Sequence, residues 1–136
     1  VSMMQPVIQL KEFIHEQTPS VESLVASWKP LKDSLRKLSN QYNKPILFTE
    51  YGYQSVDYGA GKHWEIDHQT YPFNQVTQKN AYEAIYKVFW NEDWFKGGFL
   101  WKWFPNHDRA GGSDNKRFTP QNKSAEQVIK YYYNEY

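Results

Sequence analysis

Glu50 stands directly after the apolar run Ile46-Leu47-Phe48-Thr49. A carboxylate held at the end of a rigid strand can attack as a nucleophile or move a proton as general acid or base. An ordinary solvated strand-end glutamate occupies the same position, and position alone does not separate the two. Trp101 and Trp103 share parity within Phe99-Leu100-Trp101-Lys102-Trp103-Phe104, so on one strand both project to the same side. Trp103, nearer the C-terminal end, is placed to floor a ligand site, while Trp101 reads as core filler. Lys102 then faces the other way, which leaves the parity open. The segment 51–74 carries Tyr51, Tyr53, Tyr58, His63, Trp64, Tyr71 and Phe73. Such rings either stack on a ligand, with Tyr and His adding hydrogen bonds, or pin the loop to the protein body. Tyr53, His63 and Trp64 are the candidates for contact with a ligand.

Other chemistries fit poorly. His63, Asp67 and His68 lack a companion cluster, and their spacing matches no zinc or calcium pattern. Asp108, Asp114 and Asn115 lack EF-hand spacing, and Gly111-Gly112 is a turn with no Lys-Ser or Lys-Thr behind it. No metal and no cofactor is expected. The absence of cysteine excludes a disulfide scaffold, a thiolate zinc site and a cysteine nucleophile, but leaves the compartment open. Sixteen basic and 15 acidic side chains give a formal charge of +1, which argues against nucleic-acid or membrane-surface binding by bulk charge. No apolar run approaches the roughly 18 to 20 residues of a bilayer span, and no signal-peptide pattern opens the chain.

The elements that must position these residues follow from periodicity. From Ser20, apolar residues at Val21, Leu24, Val25, Trp28, Leu31, Leu35 and Leu38 predict an amphipathic helix to about Gln41. Pro30 is expected to kink or divide it. Ile46–Thr49 predicts a strand buried on both faces. A second helix is predicted from about Gln75 to Asn91, a second strand over Phe99–Phe104, and a last helix from Ser124 to Tyr133. Helices alternating with strands predict parallel βαβ units. Segments 51–74 and 105–121 both leave C-terminal strand ends, the face on which α/β folds build their sites. Two parallel strands are too few for an independent sheet. The 136 residues therefore read as part of a larger architecture.

Three segments carry a family resemblance. They are Lys44-Pro45-Ile46-Leu47-Phe48-Thr49-Glu50-Tyr51-Gly52-Tyr53, then Gly97-Gly98-Phe99-Leu100-Trp101-Lys102-Trp103, and then Phe118-Thr119-Pro120-Gln121-Asn122-Lys123-Ser124-Ala125-Glu126. In this order, behind a helix containing Ala26-Ser27-Trp28, they resemble the C-terminal part of family 113 glycoside hydrolases, the β-mannanase family of the retaining (β/α)8 clan. The resemblance spans roughly residues 20–135, with 1–19 a poorly matched leader to one partial barrel domain over 1–136.

The resemblance implies an α/β fold holding about strands seven and eight of a TIM barrel with their flanking helices. It implies that Glu50 is the nucleophile of a retaining mechanism, with Trp101 and Trp103 at the sugar floor. Retaining hydrolysis needs a second carboxyl about 5 to 5.5 Å away, which the family supplies from strand four, outside this chain. Glu65 is the only acid of the active-face loop that could replace it. The expected substrate is a β-linked mannan or related oligosaccharide, and the expected associations are with the missing N-terminal part of the barrel or with copies of the chain. The alternatives are a non-catalytic carbohydrate-binding or interaction remnant of such a barrel, and another glycosidase of the clan, such as a β-glucanase.

Overall fold

The computed structural model describes residues 16–61 and 70–135. Ser20 caps helix α1, Val21–Tyr42, its hydroxyl accepting from the Ser23 N–H at 3.1 Å, with Glu22 in the first turn where the helix dipole favours an acid. Asn43 ends the helix in the left-handed conformation at φ 50°. Pro30 lies inside α1, which runs through it as one helix, so the division expected as one alternative does not occur. The proline is exposed, so the Ala26 carbonyl that loses its amide partner is on the solvent side, where water can satisfy it. Leu24, Trp28, Leu31 and Leu35 form the buried stripe.

Strand β1, Ile46–Tyr51, runs into the long 52–74 connection. Helix α2 follows at Gln75–Phe89, capped by the Asn74 side chain on the Thr77 N–H, and leads to strand β2, Phe95–Leu100. The two strands pair in parallel, so the βαβ unit is as the alternation predicted. A short 3-10 turn, His107–Arg109, precedes helix α3, Ser124–Glu135. Helix α2 packs between α1 and α3. Trp28 and Phe48 each meet Phe89 edge to face, with Phe48 and Phe89 centroids 4.9 Å apart, the arrangement aromatic quadrupoles prefer, and Phe95 packs tilted against Phe48.

Two expectations about the strands need correction. β1 is not buried on both faces: Ile46 and Phe48 sink into the helix layer, while Leu47 is 42% exposed and Thr49 is open too. Ile46 and Phe48 are thus buried, and Leu47 and Phe99 are exposed. The second strand begins and ends earlier than predicted, so Trp101 and Trp103 lie beyond it and strand parity does not govern them. The aromatic content of Phe99–Phe104 accounts for the predicted strand extending over the tryptophans. The backbone instead pairs through Phe95-Lys96-Gly97-Gly98, where Gly97 at φ 102° absorbs an irregularity in the ladder.

Candidate functional site

The strand ladder sets the direction of Glu50. Phe48 pairs with Gly98 and Tyr51 with Leu100, so one extra residue is taken up on β1 between Phe48 and Tyr51. Strict alternation from Phe48 would turn Glu50 towards the helices. The irregularity puts the ring of Tyr51 there instead, edge-on to Tyr82 and Tyr86 of α2. Glu50, its neighbour, is thereby turned to the opposite face, the side of Leu47. It is half-buried, and its carboxylate has no partner among the described residues. The Tyr51 hydroxyl also bonds those of Tyr86 at 3.1 Å and Tyr133 at 2.7 Å, tying the strand end to α2 and α3. Burial raises the Tyr51 and Tyr86 phenols far above the ordinary tyrosine range.

β2 delivers the tryptophans to the same edge. The Trp101 N–H donates to the Tyr51 carbonyl at 2.7 Å, and Gly52 lies so close to the Trp101 carbonyl that a β-carbon there would approach its oxygen to 2.0 Å. Gly52 is required for this approach of one backbone to another. The Trp101–Lys102 peptide is cis. Trp101 is 41% exposed and Trp103 46%, so the core role expected for Trp101 is not found. The Lys102 ammonium lies 5.5 Å from the Trp101 ring centroid and 4.8 Å from that of Phe104.

The aromatic loop divides. Tyr53, expected to touch ligand, is 3% exposed and edge-on to Tyr82, leaving no face free for stacking. Tyr58 pairs with Tyr71, and a bridge from Val56 to Phe73 closes the loop's base. Tyr53 thus holds the loop to α2, while the Tyr58–Tyr71 and Val56–Phe73 contacts hold the loop to itself. His63, Trp64, Glu65, Asp67 and His68 lie outside the described residues. Among the described residues no group of three or more His, Asp or Glu could hold a metal ion, and no helix is long and apolar enough to cross a membrane.

A polar framework behind the tryptophans was not anticipated. Gln121, fully buried, accepts from the Phe104 N–H at 2.7 Å and donates to the Phe104 carbonyl at 3.0 Å. Asn122 donates to the carbonyls of His107 and Ala110, and Lys123 Nζ donates to Ser55, Asn115 and the Arg117 carbonyl. Gln78 of α2 donates to the carbonyls of Tyr53 and Phe118, joining both long loops. His107 hydrogen-bonds the buried carboxylate of Glu126 beside the Trp103 ring. The sequence signal was a run of polar residues inside a segment already singled out. Their burial was the missing information.

The family model for glycoside hydrolase family 113 matches residues 12–123. The chain belongs to that family. The match takes in residues 12–19, part of the segment 1–19 expected to match poorly, and the Gln17 side-chain amide donates to Asp57 at 2.9 Å. Among solved structures, two described as GH113 β-1,4-mannanases have TM-scores of 0.69 and 0.68, at 24% and 25% identity over 82% of this chain. The GH113 β-mannanase of Alicyclobacillus acidocaldarius in complex with ManMIm has a TM-score of 0.68 at 25% identity over 81% of the chain. The chain spans 36% of the length of each. No curated protein matches it. The α/β fold, with its parallel strands, corresponds to a portion of a family 113 barrel.

Proposed function

We propose that these residues form about strands seven and eight of a retaining β-mannanase-type barrel, with Glu50 as nucleophile and Trp101 and Trp103 as the sugar floor. The observation that supports this most is the common edge: Glu50 at the C-terminal end of β1, turned away from the helix layer, next to a β2 end that carries two exposed tryptophans. Barrel enzymes place their chemistry on that face. In this reading the Glu50 carboxylate attacks the anomeric carbon of a β-linked mannoside. The leaving oxygen takes a proton from an acid on another strand, and water then releases the glycosyl-enzyme. The partner of the open sheet face is the rest of the barrel, or a second copy of the chain.

Glu50→Ala in the complete barrel should abolish hydrolysis of β-1,4-mannooligosaccharides, and added azide or formate should restore part of it. Undiminished turnover in the alanine variant would remove the assignment. Faster hydrolysis of β-glucan than of mannan would place the enzyme elsewhere in the clan. Saccharide binding with no turnover by the complete protein would leave a binding remnant.

A further inference from the structure

Beyond the tryptophans in the chain, the loop after β2 forms an open concavity of about 290 Å3, lined in part by Phe104, Pro105, Asn106, Asn115 and the exposed Arg109 and Arg117. Two guanidinium-bearing residues line it and no carboxylate does. Neither guanidinium has a partner among the described residues, although Asp108 and Asp114 belong to the same loop. Two unpaired arginines on one concavity favour an anion between them, and the planar guanidinium fork matches a carboxylate in particular.

The walls are fixed before any ligand arrives. Gln121 grips the backbone of Phe104 on both its N–H and C=O, Asn122 grips His107 and Ala110, and Lys123 grips Asn115 and the Arg117 carbonyl. Three consecutive residues thus hold three parts of one rim. Gly111 completes it where a β-carbon would approach the Gln121 carbonyl to 2.0 Å. A preformed rim lowers the ordering cost of binding.

We infer that this concavity is an anion subsite taking the carboxylate of an acidic sugar unit, a uronate, on the saccharide that lies against Trp101 and Trp103. The volume is at the low end of the roughly 300 to 1,000 Å3 of small-molecule sites, the scale of one sugar unit rather than an oligosaccharide. Phe104 and Pro105 offer apolar surface to the C–H face of a ring, while Asn106 and Asn115 offer amides to its hydroxyls. The inference rests on the saccharide reading above.

Calorimetric titration of the complete barrel with sodium glucuronate, glucose, inorganic phosphate and mannobiose tests it. Glucuronate should bind at least about tenfold more tightly than glucose or phosphate, and the double variant Arg109→Gln/Arg117→Gln should lose that advantage. Mannobiose affinity should be unchanged in the double variant, whose far-UV circular dichroism should match the parent because neither side chain has a partner to lose among the described residues. Glucuronate no tighter than glucose, or binding that survives in the double variant, overturns the subsite. Phosphate binding as tightly as glucuronate overturns the uronate assignment. Mannobiose binding without glucuronate binding removes the subsite and leaves the saccharide reading intact. Arginine-dependent glucuronate binding without mannobiose binding keeps the anion site and removes the saccharide reading.

Discussion

At the scale of single residues, Lys123 stands out because it is buried among neutral acceptors with no carboxylate partner. Burial lowers its pKa from the ordinary 10.5 to about 7. Between those values the unfolded chain holds a proton that the folded chain lacks, so stability rises with pH from about 7 upwards, by at most about 1.4 kcal/mol per unit. The buried phenols of Tyr51, Tyr53, Tyr82 and Tyr86 act in the opposite sense. Their folded pKa values are raised, so stability falls once unfolded tyrosine ionises near pH 10. Urea melts from pH 6 to 11 should show a maximum near pH 9 to 10, and Lys123→Met should flatten the rising limb. Trp101 and Trp103 call for a different measurement. Being exposed, each should tolerate alanine with a stability change within about 0.5 kcal/mol in thermal melts, while the same substitutions weaken mannobiose binding.

At the scale of elements, two backbone positions make separable predictions. Pro30→Ala restores an amide to the exposed face of α1 and should raise stability by about 1 to 3 kcal/mol, read as a higher Tm. Gly52→Ala drives a β-carbon into the Trp101 carbonyl and should cost about 1 to 3 kcal/mol while disturbing the tryptophan fluorescence. The element order, the parallel pairing and the helix start at Ser20 were legible because they depend on local periodicity and start signals. Glu50 was legible as a strand-end acid for the same reason. The extent of β2 was not, because a ladder irregularity at Gly97 is decided by the opposing strand. The burial of Tyr53 was not, because it depends on Tyr82, far along the chain. The clamp of Gln121, Asn122 and Lys123 was hidden likewise, since polar residues read as exposed until their tertiary acceptors are known.

At the scale of the molecule, the helix layer closes over one face of the β1–β2 pair and leaves the other open. Leu47, Phe99 (63% exposed), Trp101 and Trp103 contribute apolar surface on or beside that open face, and contiguous surface of this kind marks an interface or an aggregation hazard. The isolated chain should take up an apolar dye and scatter light as more than a 16.3 kDa monomer. The complementary barrel portion should suppress both signals. A monodisperse monomer without dye uptake would show that the face needs no partner.

The Gln121 clamp sets a limit on the protein's chemical ageing. One primary amide both donates to and accepts from the backbone of Phe104. Hydrolysis of that amide to glutamate would keep the acceptor and delete the donor, placing a carboxylate oxygen against a carbonyl oxygen. Spontaneous deamidation at this one buried side chain would therefore loosen the wall beside the tryptophans while leaving every helix in place. Material stored long enough to deamidate there should lose ligand binding before it loses its melting transition.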